Sequence, residues 1–437
     1  MHLPLDPGIP ACRQAGLNPR ILESCNHVLS LLVMNSTKPL ESLRHRNFRM
    51  FWIGQIISLT GTWMHQAAQG WLVFQLTGSP FFLGLAGTAA SSPILLFTLA
   101  GGVMADRHPK RYIMLSAHIL LMILAMILTI LVATDTVNVW LVLALAFMIG
   151  TVHAFEIPAR QSFIIEMVGR ESLLNAIALN SSAFHAARMI GPTIAGFIMG
   201  SIGLGYCFFL NSISFLAIIT ALVKMRFKPE DEKHASRHGI KKSFRDGARY
   251  ILHNPDVYII HIAVGIISFF GFPYLSFLPV YAEVILKTGA TGLGMLMGCA
   301  GAGAFTGAIM LATRGDSSRK GVIMAVSGVT YSTALLVFSQ SSSVWLSYLM
   351  LYFVGVSGVN MIATANSIIQ LSVPDELRGR VMSSFTTMFL GMAPLGNFTV
   401  GTIAHYIGTQ HALGTAASLC LLGTISVIWI KPSILKL

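Results

Sequence analysis

Residues 101–114, GGVMADRHPKRYIM, return 210 positions later as residues 311–324, LATRGDSSRKGVIM. Asp106 aligns with Asp316, Lys110 with Lys320, and Ile113-Met114 with Ile323-Met324. At the same offset IISLTG (56–61) matches IISFFG (266–271). At an offset of 205, Ser162 aligns with Ser367, Val168 with Val373, Glu171 with Glu376, Gly191 with Gly396 and Gly196 with Gly401. One such match is chance; the series, in chain order, predicts two similarly built halves.

The material between the repeated turns is almost free of charge. The chain has 437 residues, 54% hydrophobic and only 11% charged, whereas a soluble domain carries about a quarter charged residues. A helix needs about 20 apolar residues to cross about 30 Å of hydrocarbon. Twelve runs satisfy that expectation: 50–75, 81–104, 112–133, 138–158, 176–200 and 204–224, then 257–285, 291–313, 321–340, 343–366, 383–407 and 411–430. The predicted fold class is therefore an all-α polytopic membrane protein, with twelve transmembrane helices in two parallel-repeat six-helix halves. The predicted organisation is a tail over 1–43, a first half over 44–224, a polar cytoplasmic linker over 225–256 and a second half over 257–437.

A formal charge of +12 suggests nucleic acid until the bases are placed. With the N-terminus inside, all of the 29 Lys and Arg except Arg188 and Lys287 fall before the first helix, in inner loops or near the last helix. That is the positive-inside pattern. Both termini are thus expected in the cytoplasm of a cell whose plasma (bacterial inner) membrane the chain crosses, with no nucleic acid as partner. The five cysteines, Cys12, Cys25, Cys207, Cys299 and Cys420, have no CxxC spacing and point to neither a disulfide nor a metal. In the tail, HVLSLLVM is short for a signal segment. Residues 1–33 are expected to be disordered or to precede the true start at Met34. Within the linker, 242–252 has the pattern of a short amphipathic helix.

Several embedded polar residues are candidates for function. Ser181, His185, Arg188 and Pro192 share a helix face. An arginine at mid-membrane costs about 2.5–3.5 kcal/mol on insertion scales, so Arg188 is expected to face protein or a watery cavity. It is an anion anchor, a fixed charge biasing a proton site, or a cap on a neighbouring helix. His153, Glu156 and Arg160 also share a face, and Glu156 precedes Arg160 by the four residues that favour an ion pair. They are either solvated at the inner interface or buried, in which case Glu156 is the first half's candidate proton carrier. The first helix adds a polar stripe with Gln66 and Gln69, adjoined by His65, which can titrate near neutral pH. Phe270 and Tyr274 in FFGFPYLSFLPVY, with Asn360, are candidate cavity walls. No P-loop, HExxH or GxSxG is present, so neither an enzyme nor an ATP-driven pump is expected, and no cofactor is implied.

GGVMADRHPKR resembles the turn between helices 2 and 3 of the major facilitator superfamily: Gly, three residues, Asp, then a basic cluster. Pro109 stands where the family has a second Gly. RNFRMFWIGQIIS, GWLVFQLTGSP, IPARQSFIIEMV and VPDELRGRVMS are similar to the enterobactin-exporter-like branch, the transmembrane secretion effectors, and RMIGPTIAG resembles the fifth-helix motif of exporters. The resemblance covers the chain from about residue 44 onward. It implies alternating access with gating residues Gly102, Asp106, Arg107, Lys110 and Arg111, the degenerate second copy Asp316 and Lys320, and an outer-side bend at Gly191, Pro192 and Gly196. It implies that Asp106 docks near Ser383, with Arg160 as a relay. It further implies proton-coupled efflux of a small amphipathic molecule, a siderophore or drug-like compound, by a monomer that can work beside periplasmic or outer-membrane export components. Import of a nutrient or metallophore on the same fold is the alternative.

Overall fold

The computed structural model describes residues 40–169, 171–225, 249–314 and 319–436. Its twelve long helical segments are, in chain order, α1 (Arg46–Thr77), α2 (Pro80–Arg107), α3 (Lys110–Ala133), α4 (Val139–Val168), α5 (Leu173–Ser201), α6 (Gly205–Lys224), α7 (Pro255–Ile285), α8 (Gly289–Arg314), α9 (Lys320–Gln340), α10 (Val344–Ser372), α11 (Asp375–Ile407) and α12 (Thr409–Ile430). Among the described residues, nine of these are long and apolar enough to cross a membrane. The other three, α1, α5 and α11, are as long but more polar. Gln55, Gln66 and Gln69 interrupt α1, Arg188 and His185 interrupt α5, and the acidic and basic start DELRGR opens α11. The apolar runs predict twelve spans; length and composition of the helices alone support nine.

Turn chemistry sets the boundaries. Gly78 ends α1 with a left-handed φ of 60°, a conformation glycine adopts without steric cost, and Pro80 starts α2 at a position where its missing N–H costs nothing. The Asn138 side chain accepts from Leu141 N at the start of α4. Exposed Trp140, Tyr206, Trp345 and Tyr406 lie at helix ends on the face opposite the basic loops, where aromatic residues suit a membrane interface.

Three of the repeated pairs show the same place in helices six apart. Thus 56–61 and 266–271 lie in α1 and α7, Lys110 and Lys320 open α3 and α9, and Gly191 and Gly396 lie in α5 and α11. The contacts repeat as well. A Cβ on Gly191 would stand 2.6 Å from the carbonyl oxygen of Thr60 in α1, and Gly396 meets Phe269 and Pro273 of α7. The divergent position has a structural reason. Arg111 donates to the carbonyls of Leu222 and Val223 at the end of α6, at 2.8 and 2.9 Å. Its counterpart Gly321 instead packs against the backbone of Ile434, in the turn after α12.

Asp316 and Ser317 lie outside the described residues, as do Met34, Cys12, Cys25 and residues 242–248 of the expected amphipathic helix; residues 249–253 are helical.

Candidate functional site: a cavity closed on one side

Two seams join the first six helices to the last six. In one, α2 meets α11: a Cβ on Gly84 would lie 2.8 Å from the Cα of Gly401, and Thr88 Oγ1 donates to Pro394 O at 3.0 Å. In the other, α5 meets α8: a Cβ on Gly196 would lie 2.8 Å from the Cα of Gly294, and one on Gly301 2.6 Å from the Cα of Met189. The seams are related by the repeat, since Gly84 precedes Gly294 by 210 positions and Gly196 precedes Gly401 by 205. Glycines permit this approach of backbones. These contacts run from the middle of the helices toward the face opposite the basic loops. On the basic side, Gly102 and Gly379 face open space, and Leu96, Leu99, Leu174 and Ile177 are exposed. Among the described residues, the molecule is closed on one face and open toward the basic one.

Between the seams lies a cavity of about 460 Å³. It is lined by Trp63, Phe184, His185, Arg188, Phe272, Tyr274, Tyr331, Asn366 and Phe389, among others. Beyond Trp63 and Leu275, toward the closed face, is a smaller chamber of about 100 Å³ that Gln66 and Gln69 line with Ser276. Trp63 and Leu275 wall both spaces.

Arg188 is half-buried, its guanidinium 5.6 Å from the Trp63 ring centroid. Aromatic pairs surround it: Trp63–Phe184 at 5.5 Å and Phe272–Phe389 at 5.3 Å. Of the three readings of Arg188 left open, the cavity-facing ones fit this placement. His185 and Tyr274 line the same cavity.

Two expected wall residues lie elsewhere. Phe270 is not among the cavity's lining residues; Phe272 is. The helix is π-wound over Ile267–Gly271, and the extra residue per turn rotates the downstream residues away from the α-helical register. Asn360 is buried with its Oδ1 unpartnered, and so is Thr364 one turn on. Both sit inside the second group of helices, while Val359, Ile362 and Asn366 on another face of α10 line the cavity.

Glu156 is buried at 3% exposure, which separates the two readings of its ion pair in favour of burial. Its Oε1 lies 3.3 Å from Arg160 Nε and its Oε2 3.7 Å from His153 Nδ1. His118 of α3, buried and holding Met114 O through Nδ1 at 2.7 Å, is within electrostatic reach of Glu156. Sequence spacing gives no sign of His118, because only long-range packing brings α3 to that face of α4. His65 packs edge-on against Phe208 at 4.8 Å, with neither ring nitrogen hydrogen-bonded. This cluster lies within the first six helices, and none of it lines the cavity.

At the basic face, Asp106 and Arg107 are exposed, and Asp106 has no ion-pair partner among the described residues. Lys110 pairs with Glu166 at 2.5 Å, joining the start of α3 to the end of α4. Lys320 opens α9. Gly191 packs on α1 rather than across a seam, whereas Pro192 O and Gly196 contact Gly294 of α8. Among the described residues no group of His, Cys, Asp and Glu has the arrangement of a metal site.

A family model described as transmembrane secretion effector matches residues 37–434. Relatives include the staphyloferrin A transporter of Staphylococcus aureus, 23% identical over 82% of this chain and 90% of its own length. The multidrug efflux pump Tap of Mycolicibacterium fortuitum is 24% identical over 82% and 89%. The enterobactin exporter of Citrobacter koseri is 22% identical over 78% and 81%. Among solved structures, a bacterial homologue of the human lysosomal transporter Spinster, inward-facing and unoccupied, superposes with a TM-score of 0.69 at 13% identity, covering 90% of this chain and 98% of that one.

Proposed function

The chain belongs to the transmembrane secretion effector family of major facilitator transporters, and from that premise we propose that it exports a small amphipathic molecule in exchange for protons. It is a multi-pass membrane transporter of a small molecule, not an enzyme. The finer reading rests on one observation above all: the aromatic cavity of about 460 Å³, open toward the basic side and closed on the other by two glycine seams. By the positive-inside pattern the basic side, with both termini, is cytoplasmic. Substrate then enters from the cytoplasm, and the halves 44–224 and 257–437 rock about it to open the far side.

Glu156 carries the proton. It is a buried carboxyl with a guanidinium and an imidazole at hand, in a place substrate does not reach, so its protonation acts by changing how α4 packs rather than by touching cargo. One proton moving down the membrane potential supplies about 2.3 kcal/mol per 100 mV. Exporters and efflux pumps among the relatives favour outward transport. Everted membrane vesicles holding the protein test this reading. Energised by respiration, they should accumulate a compound from a panel of siderophores, macrolides and lipophilic dyes, and lose it when the proton gradient is collapsed. Gradient-dependent accumulation by right-side-out vesicles only would mean import; accumulation by neither orientation would end the transport assignment for that panel.

A further inference from the structure

The large cavity carries charge of one sign. Among the described residues Arg188 is the one permanently charged side chain lining it, and no carboxylate does. Glu156, the buried acid of the first six helices, is already engaged by Arg160 and His153. A guanidinium drawn out of bulk water ordinarily stands opposite an anion; Arg188 stands against the Trp63 ring instead.

Two further groups at this wall lack partners. His185, one turn before Arg188, has an unpartnered Nδ1, and so does the hydroxyl of Tyr331, a residue 2% exposed. Tyr331 is held in place. A Cβ on Gly271 would meet its ring at 2.6 Å and one on Gly358 at 3.1 Å, so two bare backbones clasp it. A buried hydroxyl without a partner is costly, and a fixed one suits a ligand that accepts a hydrogen bond there.

We propose that the cargo is an organic anion, a carboxylate or ionised phenol on a flat apolar body. Its charged oxygen sits on Arg188 and accepts from Tyr331 and His185, while the body lies against Trp63 and Phe184. The inference rests on reading this cavity as the transport site. It selects against protonated amines, which Arg188 repels in a space where low dielectric strengthens that repulsion.

Equilibrium binding to the purified protein in detergent tests it, with three probes sharing one ring system: 2-naphthoate, 2-naphthamide and 2-naphthylmethylammonium. The naphthoate should bind about tenfold or more tightly than the amide, and the ammonium weakest of all. Arg188→Gln should bring naphthoate to within about twofold of the amide while amide binding persists, which also reports a folded cavity. Arg188→Lys should retain part of the preference, and Tyr331→Phe should weaken naphthoate about three- to tenfold and the amide less. The proposal is overturned if the ammonium binds as well as the naphthoate, if the preference survives Arg188→Gln, if Arg188→Lys and Tyr331→Phe leave it untouched should Arg188→Gln not fold, or if no probe binds the wild type. Binding in detergent needs neither gradient nor direction. Anion preference without proton-driven export would sink the exporter reading alone, and export indifferent to charge would sink this one alone.

Discussion

Glu156 and Arg188 are both ionisable groups set among apolar helices, and the chain provides for them oppositely. Glu156 has Arg160 one turn away and His153 on its other side, so its charge is met from within its own helix. Removing one partner of a buried pair costs about 3–5 kcal/mol by stranding the other, and a purely structural role for Glu156 would be of that kind. The coupling role predicts something different. Glu156→Gln should reduce proton-driven accumulation in vesicles to background while changing naphthoate affinity by less than about twofold, because the residue does not line the cavity. If the pair is only structural, adding Arg160→Gln should restore transport by removing the stranded charge; we expect no restoration. The spacing of Glu156 and Arg160 was legible in the sequence because a helix dictates it. Their burial was not, since it depends on α3 and its His118, remote in the chain.

At the scale of helices, close approach is what the seams require, and the repeat makes the requirement twice. Gly84 against Gly401 and Gly196 against Gly294 hold the closed face shut, while Gly102 and Gly379 on the basic side face open space. A glycine with room around it in one state is explained by a neighbour arriving in another. Gly196→Val should therefore strain the closed face by about 1–3 kcal/mol and shift the population toward the form open on the far side. Spin labels on the basic-side ends of α2 and α11 should report a shorter distance. Gly102→Val should do the reverse, leaving that distance long and transport lost with stability unchanged. A variant that shortens it would remove Gly102 from the gate. The glycines at 191, 196, 396 and 401 were visible as repeated positions; that Gly196 packs on Gly294 and Gly401 on Gly84 was not, because a glycine's partner lies on another helix. The rotation of α7 was invisible too. An α-helical period points Phe270 at the cavity, and only the π-wound turn at Ile267–Gly271 gives that place to Phe272.

For the molecule as a whole, the placement of basic residues and the direct repeat carried the architecture, since lipid leaves a chain of this composition few options besides bundled helices. Among the described residues hydropathy recovers nine spans on its own; of the residues that make α1 and α5 more polar, Gln66 and Gln69 line the small chamber and His185 and Arg188 the large cavity. The two copies of the opening turn are not equivalent, and they differ in what Arg111 and Gly321 touch. In the first, Arg111 ties α3 to the end of α6 and Lys110 ties it to Glu166 on α4, so the turn that presents Asp106 is braced from two sides. In the second, Gly321 packs against the backbone of Ile434 and has no side chain to make the contacts of Arg111. Asp106 is exposed and, among the described residues, unpaired with the basic side open, so neutralising it costs this state nothing. In the proposed cycle, closing that side brings the start of α11 to Asp106, and a carboxylate near a helix N-terminus contributes about 0.3–2 kcal/mol. Losing it should bias the molecule toward the open form and slow export about two- to thirtyfold for Asp106→Asn. Asp316→Asn, on the copy with glycine in place of Arg111, should slow it far less. Equal losses measured side by side in everted vesicles would mean the halves latch symmetrically, and the divergence at Arg111 and Gly321 would then concern packing alone.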